Sequence, residues 1–193
     1  MNDPKLELVA RFFQLDPTED KKVLAFLKDR LVTRTFAARE LVTEAGRKER
    51  YFYIVEEGVQ AMYLIDGAGD KVVLAFSFSG SPSGIYDSFM YETASLSFLE
   101  ALKPSTLHGI TRSDFIELME YPVMLRWKAR FFENILLGRL SREVELLTLS
   151  AKERYEAFVA RCPPPLLTIP QKYLASYLNM TPETFSRLRS LRD

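Results

Sequence analysis

The chain has 193 residues, of which 47% are hydrophobic and 27% charged, and its formal net charge is zero. This composition is that of a globular protein and excludes an intrinsically disordered one. Because no apolar run reaches about 18 residues, no transmembrane helix is expected, and the first residues lack a signal-peptide pattern. The single cysteine, Cys162, excludes an intramolecular disulfide and favours a reducing cytoplasm.

The first predicted elements are one helix and a series of short strands. Residues 16–20 open a helix with four apolar positions on one stripe (Val23, Leu24, Phe26 and Leu27). From about Glu40 the periodicity becomes that of strands, which are predicted at 51–55, 59–65, 71–78, 98–102 and 106–110. The glycine-rich segment 66–70 reads as a hairpin connection. Short strands and turns at this spacing favour a sandwich or barrel.

A long helix is predicted after the strands. Residues 79–89 form a Ser-, Gly- and Pro-rich loop that leads into a short helix, and the long helix runs from Pro122 to about Leu149. Seven of its apolar residues lie on or near one face (Trp127, Phe131, Ile135, Leu136, Leu140, Val144 and Leu147). A dimer contact like that of a coiled coil would cover this face. Burial against the β domain is the alternative, and different faces of one helix could do both.

A further helix is predicted at 151–159, ending at a proline-rich loop, 162–165. Beyond it, residues 171–190 carry the pattern of two short helices that cross at a tight turn. Five apolar positions fit that pattern (Leu174, Leu178, Met180, Phe185 and Leu188). Ala175 is small where the backbones approach, and Asn179 tolerates the left-handed conformation of the turn.

The second of these helices presents a polar face. Thr181 suits the N-cap, Pro182 the first helical position and Glu183 the first turn. Glu183, Ser186 and Arg187 face outward together. A glutamate can accept a hydrogen bond from cytosine, and an arginine can donate two to guanine, so we predict that these three residues contact DNA bases. An ordinary surface ion pair between Glu183 and Arg187 is the alternative.

The charge of the C-terminal segment is compatible with DNA binding. From Leu166 onward the cations outnumber the acids (Lys172, Arg187, Arg189 and Arg192 against Glu183 and Asp193). The excess is small in a monomer and doubles in a dimer. It permits DNA binding without requiring it.

This order of elements resembles the Crp/Fnr-type transcription regulators, named after the cyclic-AMP receptor and the fumarate-nitrate regulator, over nearly the whole chain. The resemblance rests on residues 51–58, on the strand-turn-strand through Gly67 and Asp70, and on residues 169–184, which are close to the form of many Bacteroidetes members. It implies an α+β fold with an N-terminal β-roll, a double-stranded β-helix of the cyclic-nucleotide-binding and cupin-like kind, with flanking helices. A long dimerisation helix and a C-terminal helix-turn-helix with a truncated or absent wing complete the implied fold.

The implied domains are a β-roll sensor domain at 1–148, which includes the dimerisation helix at about 122–148, and a DNA-binding domain at 149–193. The implied function is that of a cytoplasmic, homodimeric regulator of transcription that binds double-stranded DNA. RNA polymerase and an unidentified small effector are further candidate partners. The alternative is a degenerate ligand-binding or interaction module without sequence-specific DNA binding.

The resemblance also assigns DNA contacts. Glu183 and Arg187 match the base-reading Glu and Arg of the cyclic-AMP receptor. Lys172 and Thr181 match positions that commonly touch phosphate, and Arg189 is a third candidate phosphate contact. An arginine that reads bases in that receptor is replaced by proline at position 182, so we expect a different operator.

The effector pocket departs from the family pattern. Gly84 is retained, but Ile85 stands where the family has the Glu that holds the ribose, and Ser95 where it has the Arg that neutralises the cyclic phosphate. A buried phosphate without that arginine would be uncompensated, so we predict that cyclic AMP does not bind in the usual way. If an effector exists, its predicted site lies beside 84–97 under the long helix (Gly84, Ile85, Ser95, Ser97, Arg139 and Arg142).

Other chemistries have little support in the sequence. An iron–sulfur cluster needs about four cysteines, and the lone His108 lies in a predicted strand, where a structural role is favoured over haem ligation. A cupin-type metal enzyme needs two or three histidines with a carboxylate, and no nucleophile elbow, phosphate loop or HExxH motif occurs. We therefore expect no enzyme activity, no catalytic residues and no bound metal.

Overall fold

Two antiparallel β-sheets form the centre of the computed structural model, which describes residues 3–191. Arg192 and Asp193, which were counted in the charge of the C-terminal segment, lie outside the described residues. The strands are β1 (Val32–Phe36), β2 (Leu41–Thr43), β3 (Tyr51–Glu57), β4 (Val59–Ile65), β5 (Lys71–Phe78), β6 (Pro82–Ser83), β7 (Phe98–Ala101) and β8 (Ser105–Thr111).

The helices flank these sheets and continue to the C-terminal end. They are α1 (Pro4–Phe12), α2 (Lys21–Arg30), α3 (Tyr86–Tyr91), α4 (Arg112–Leu118), α5 (Pro122–Thr148), α6 (Ala151–Arg161), α7 (Gln171–Tyr177) and α8 (Pro182–Ser190). The predicted loop at 162–165 runs into a 3₁₀ turn at Pro164–Thr168. Within residues 3–191 no strand follows β8.

The two sheets face each other as a β-roll. The first has the order β1-β8-β3-β6 and the second β2-β7-β4-β5. A small core lies between them, made by Phe36, Tyr53, Val55, Ala101 and Leu107. The predicted fold, an α+β chain with a β-roll, a long helix and C-terminal helices, is confirmed.

The β4–β5 hairpin shows why this part of the prediction is accurate. Val59 pairs with Phe78 and Ile65 with Lys71, the bounds that the sequence indicates. In the turn, Asp66 Oδ1 accepts hydrogen bonds from the backbone N–H groups of Ala68 and Asp70, both at 2.9 Å. The turn is therefore stabilised by its own residues and needs no distant partner.

The outer face of the first sheet is covered by α1, α2, α4 and the start of α5. Aromatic rings dominate this core: Phe13 lies 4.7 Å from Trp127 and Phe52 lies 5.0 Å from Phe115, measured between ring centroids. Phe13 and Phe115 are fully buried. Such a core stabilises this side of the roll mainly through apolar burial.

The long helix α5 divides into two halves. Met124 and Trp127 are buried, and Trp127 Nε1 donates a hydrogen bond to the Phe12 carbonyl at 3.1 Å. The second half instead exposes a row of large apolar side chains (Ile135, Leu136, Leu137, Leu140, Val144 and Leu147). Burial against the β domain therefore accounts for the first half only.

The sequence pattern does not indicate α1, β1, β2 or α4. The three central residues of β1 are exposed, and β2 has three residues, so neither shows a clear alternation. Both strands exist because β8 and β7 provide partners from distant parts of the chain. Tertiary pairing decides such short elements.

Candidate nucleic-acid interface

The C-terminal pair of helices has the predicted tight turn. Asn179 adopts the left-handed conformation with φ of 51°. The N–H of Asn179 donates to the Ser176 carbonyl and that of Met180 to the Ala175 carbonyl, each at 3.0 Å. Ala175 is fully buried, which lets the two helices approach closely.

Helix α8 begins as the sequence predicts. Thr181 is the N-cap, and its hydroxyl oxygen accepts a hydrogen bond from Thr184 N at 3.2 Å. Pro182 is the first helical residue, where its missing N–H costs nothing. The hydrogen bond from its own backbone N–H lowers the pKa of Glu183, so this carboxylate is charged at neutral pH.

The outer face of α8 is free to meet a ligand. Phe185 points inward and packs edge-to-face on Tyr155, with ring centroids 5.4 Å apart. Glu183, Ser186 and Arg187 are all exposed. No ion pair among residues 3–191 joins Glu183 to Arg187, so the two charges are available to an outside partner.

The candidate phosphate contacts also lie at the surface. Lys172 is exposed in the first turn of α7, with Nζ 5.5 Å from the centroid of the Tyr173 ring. Arg189 is exposed near the end of α8. Thr181 is exposed as well, but its hydroxyl is already engaged with Thr184 as the cap.

Arg154 is a residue of this region that the sequence does not reveal. Its Nε donates to the Leu178 carbonyl at 2.9 Å, and its Nη2 donates to the Asn179 carbonyl at 3.1 Å. Nη1 donates to the Leu149 carbonyl at 2.6 Å. One guanidinium thus ties the turn between α7 and α8 to the end of α5. No spacing in the sequence could show this, because the turn lies 24 and 25 residues further along the chain.

Helix α7 docks on the edge of the second sheet. β5 is an edge strand, and the Ser176 hydroxyl accepts from Val73 N at 2.9 Å and donates to the Lys71 carbonyl at 2.7 Å. A serine side chain therefore satisfies backbone groups that a neighbouring strand would otherwise pair.

A polar cluster lies beside this docking contact. Glu100 is buried and forms an ion pair with Lys71, and the Tyr173 hydroxyl donates to its Oε1 at 3.2 Å. Lys71 also lies 4.2 Å from the centroid of the Tyr63 ring. Partial burial opposes the charge of Lys71, but its bonds to Glu100 and the tyrosines outweigh burial and raise its pKa, so it remains a cation.

The residues of the predicted effector pocket fall into two groups. Gly84 and Ile85 lie beside Glu49, and Ile85 N donates to Glu49 Oε2 at 3.3 Å. Ser95 is buried, and its hydroxyl exchanges two hydrogen bonds of 2.9 Å with the backbone of Ser97.

Arg139 and Arg142 are engaged elsewhere. Arg139 Nη1 approaches the Leu74 carbonyl at 3.5 Å, and Arg142 Nη2 donates to the Tyr177 carbonyl at 2.9 Å. The structure therefore does not bring the six residues around one cavity. The effector role of each stays a prediction.

Comparisons with known proteins agree with this architecture. The family model of the cyclic nucleotide-binding domain matches residues 33–121. No curated protein matches the chain. No helix of residues 3–191 is long and apolar enough to cross a membrane.

Several solved structures share the fold at low sequence identity. FixK2 from Bradyrhizobium japonicum superposes with a TM-score of 0.68 at 18% identity, over 83% of each chain. The c-di-GMP responsive global regulator CLP from Xanthomonas campestris gives 0.69 at 17%, over 90% of this chain and 92% of that one. A CRP/FNR-family transcriptional regulator from Thermus thermophilus gives 0.65 at 18%, over 83% and 84%. Residues 33–121 therefore resemble a cyclic nucleotide-binding domain, and the chain shares its fold with these solved structures, one of which is a CRP/FNR-family regulator.

Proposed function

We propose that this chain is a DNA-binding transcription regulator that acts as a homodimer in the cytoplasm. In this proposal α7 and α8 form a helix-turn-helix, and α8 enters the major groove. The observation that carries it is the exposed face of a capped helix, α8, where Glu183, Ser186 and Arg187 form no ion pair with any of residues 3–191. Two of the structural neighbours, CLP and the CRP/FNR-family protein, are named as regulators, and we propose no enzyme activity.

The roles on α8 follow from hydrogen-bond chemistry. Arg187 can donate two hydrogen bonds to a guanine, and the charged Glu183 can accept one from a cytosine. Lys172 and Arg189 would neutralise phosphates, as would the N-terminal end of α8 beside Thr181. Base contacts should set sequence preference, and phosphate contacts should set affinity.

A binding assay separates these roles. Fluorescence anisotropy with a selected operator and with random duplex competitor should show sequence preference for the unaltered chain. Arg187→Ala and Glu183→Ala should each reduce that preference by about 1–3 kcal/mol. Lys172→Ala should instead weaken binding about equally for all sequences and reduce the salt slope by about one.

Lys152→Ala is the matched control, because Lys152 is an exposed cation on α6 whose one ion pair in the described part of the chain is a weak one, with Glu156 at 3.8 Å. It should leave both preference and salt slope unchanged. If Arg187→Ala and Glu183→Ala leave sequence preference unchanged, the base-reading assignment fails. Absence of any sequence preference in the unaltered chain would favour an interaction module instead.

The homodimer is proposed from the second half of α5. Leu136, Leu140 and Val144 recur at four-residue spacing and are between 48% and 58% exposed. A long helix with such a row is stabilised when a second copy packs against it, as in a coiled coil. Two copies would also place two recognition helices on one duplex.

Analytical ultracentrifugation tests the dimer. Leu140→Glu should convert dimer to monomer, because it would place two carboxylates in the apolar seam. Leu96→Glu is the control, since Leu96 is 83% exposed and lies outside α5. Dissociation by both changes, or by neither, would contradict the α5 interface.

In this proposal the regulator responds to an effector other than cyclic AMP, or it acts without any effector. Ile85 and Ser95 are buried, and neither can offer the carboxylate or the guanidinium that the family uses. Isothermal titration should therefore detect no micromolar binding of cyclic AMP. Micromolar affinity would overturn this part of the proposal.

A further inference from the structure

An open cavity of about 860 Å³ lies at one end of the β-roll, between β1, the β2–β3 connection and the start of β3. Its size is in the range of small-molecule sites. Five cationic residues line it (Arg34, Arg47, Lys48, Arg50 and Arg112), together with three acidic ones (Glu44, Glu49 and Glu92). None of the six residues predicted for the effector site lines this cavity (Gly84, Ile85, Ser95, Ser97, Arg139 and Arg142).

Two of the three acids are already satisfied inside the protein. Glu49 is buried, and its Oε2 accepts from the Thr43 hydroxyl at 2.6 Å and from Ile85 N at 3.3 Å. Its Oε1 accepts from the backbone N–H groups of Arg50 and Tyr51 at 2.9 and 3.3 Å. With four hydrogen bonds, this carboxylate has no capacity left for a ligand.

Glu92 is paired as well, with its Oε2 3.2 Å from Arg112 Nη1. Arg112 also donates from Nε to the Met90 carbonyl at 2.9 Å. This pair contributes no net charge to the cavity. Glu44 is then the one lining acid without a side-chain partner among residues 3–191.

The other four lining cations have no ion-pair partner in the part of the chain that the structure describes (Arg34, Arg47, Lys48 and Arg50). All four are exposed at the rim of the cavity. A concave site with this excess of one sign attracts small ions of the opposite sign.

The half-buried Tyr51 ring forms one wall, and the buried Tyr53 ring lies behind it. Tyr51 and Tyr53 lie with ring centroids 5.4 Å apart, and the Arg34 guanidinium lies 5.6 Å from the Tyr51 centroid. Tyr53 is only 2% exposed and supports Tyr51 from the core, and it fits there because Gly109 lies opposite, where a Cβ would come within 2.8 Å of the Tyr53 ring. A flat ligand group can stack on such a wall beside the arginines.

The wall next to the rim is a rigid part of the roll. Gly46 N donates to the Ser95 carbonyl and Ser95 N to the Arg47 carbonyl, both at 2.8 Å. The backbone that carries Arg47 is thus fixed before any ligand arrives. With its backbone already ordered, Arg47 loses only side-chain freedom when a ligand binds.

We propose that this cavity binds a small anionic molecule with a planar ring, the anion at Arg34 and Arg47 and the ring against Tyr51. The anion is a phosphate or a carboxylate, which arginine recognises through the same paired hydrogen bonds. This site goes beyond the proposed function, because it requires neither DNA nor the α8 face.

Isothermal titration of the full chain tests the site with simple probes. Phenyl phosphate and benzoate carry a ring with an anion, inorganic phosphate carries the anion alone, and phenol carries the ring alone. We expect phenyl phosphate or benzoate to bind with at least about tenfold higher affinity than phenol, and the stronger of the two identifies the anion. Arg34→Ala and Arg47→Ala should each weaken that binding about fivefold or more.

Two controls keep the result interpretable. Arg11→Ala removes an exposed arginine of α1 that lines no part of the cavity, and it should change affinity less than about twofold. Tyr51→Leu should weaken phenyl phosphate while leaving inorganic phosphate unchanged, and circular dichroism should show every variant folded. Failure of both ring anions to bind at about 10 mM, or equal weakening in Arg11→Ala, would overturn the site.

DNA binding by the same preparation is measured separately. A chain that binds its operator but not the ring anions contradicts the cavity alone. A chain that binds the ring anions without sequence preference for DNA contradicts the proposed function alone.

Discussion

The two outer faces of the β-roll are covered in different ways. The first face meets α1, α2 and α4 through an apolar, largely aromatic core that includes the fully buried Phe13 and Phe115. The second face meets α6 and α7 through apolar contacts from Val59 and Val73, joined by the polar cluster of Lys71, Glu100 and Tyr173. Apolar burial is non-directional and persists through small movements, whereas directional hydrogen bonds hold one orientation.

The two contacts therefore have different structural roles. The first face belongs to the main core of the β-roll and its flanking helices, and the second holds the C-terminal helices in one orientation. The Lys71 side chain is 36% exposed, so the charge of the polar cluster is partly solvated. We expect the second contact to open at a lower free energy than the first.

The first face should give the larger loss of stability. Phe115→Ala removes a fully buried ring and should lower the free energy of unfolding by about 3–5 kcal/mol. Urea denaturation followed by circular dichroism measures this loss. Ile116→Ala, on the same helix at 39% exposure, should cost well under half as much, and equal costs would contradict the position of the core.

The polar cluster should give an intermediate effect that is confined to the second face. Glu100→Gln removes the negative charge that pairs with Lys71 and accepts a hydrogen bond from Tyr173. It should lower the free energy of unfolding by about 1–2 kcal/mol. Limited proteolysis should then cut faster between α6 and α7, while the roll stays folded. Glu57→Gln, at an exposed carboxylate without an ion pair among residues 3–191, is the control. Loss of the whole fold with Glu100→Gln would contradict a separable contact.

The edge contact should give the smallest effect. Ser176→Ala removes the hydroxyl that bonds both Val73 N and the Lys71 carbonyl, at a cost of about 1 kcal/mol. Hydrogen exchange of the Val73 amide should become faster, because only water then satisfies it. Ser186→Ala, on the exposed face of α8, should leave that exchange rate unchanged.

Locally stabilised parts of the molecule could be predicted from the sequence. The β4–β5 hairpin and the start of α8 match their predicted bounds, because Asp66 and Thr181 bond to backbone groups within four residues of themselves. Asn179 in the turn was also predictable, because its left-handed conformation depends on the residue type at that position. In each case the residue type and its close neighbours contain the whole physical cause.

The sequence by itself thus determined the β4–β5 hairpin, the long helix α5 and the capped α8 with its polar face. Only the tertiary structure decided that Arg154 holds the turn, that α7 closes the edge of β5, and that Arg142 bonds Tyr177. It also decided which half of α5 is exposed and which cations surround one cavity. These contacts join residues 24 or more positions apart or depend on how whole elements pack, and no local periodicity encodes such distances.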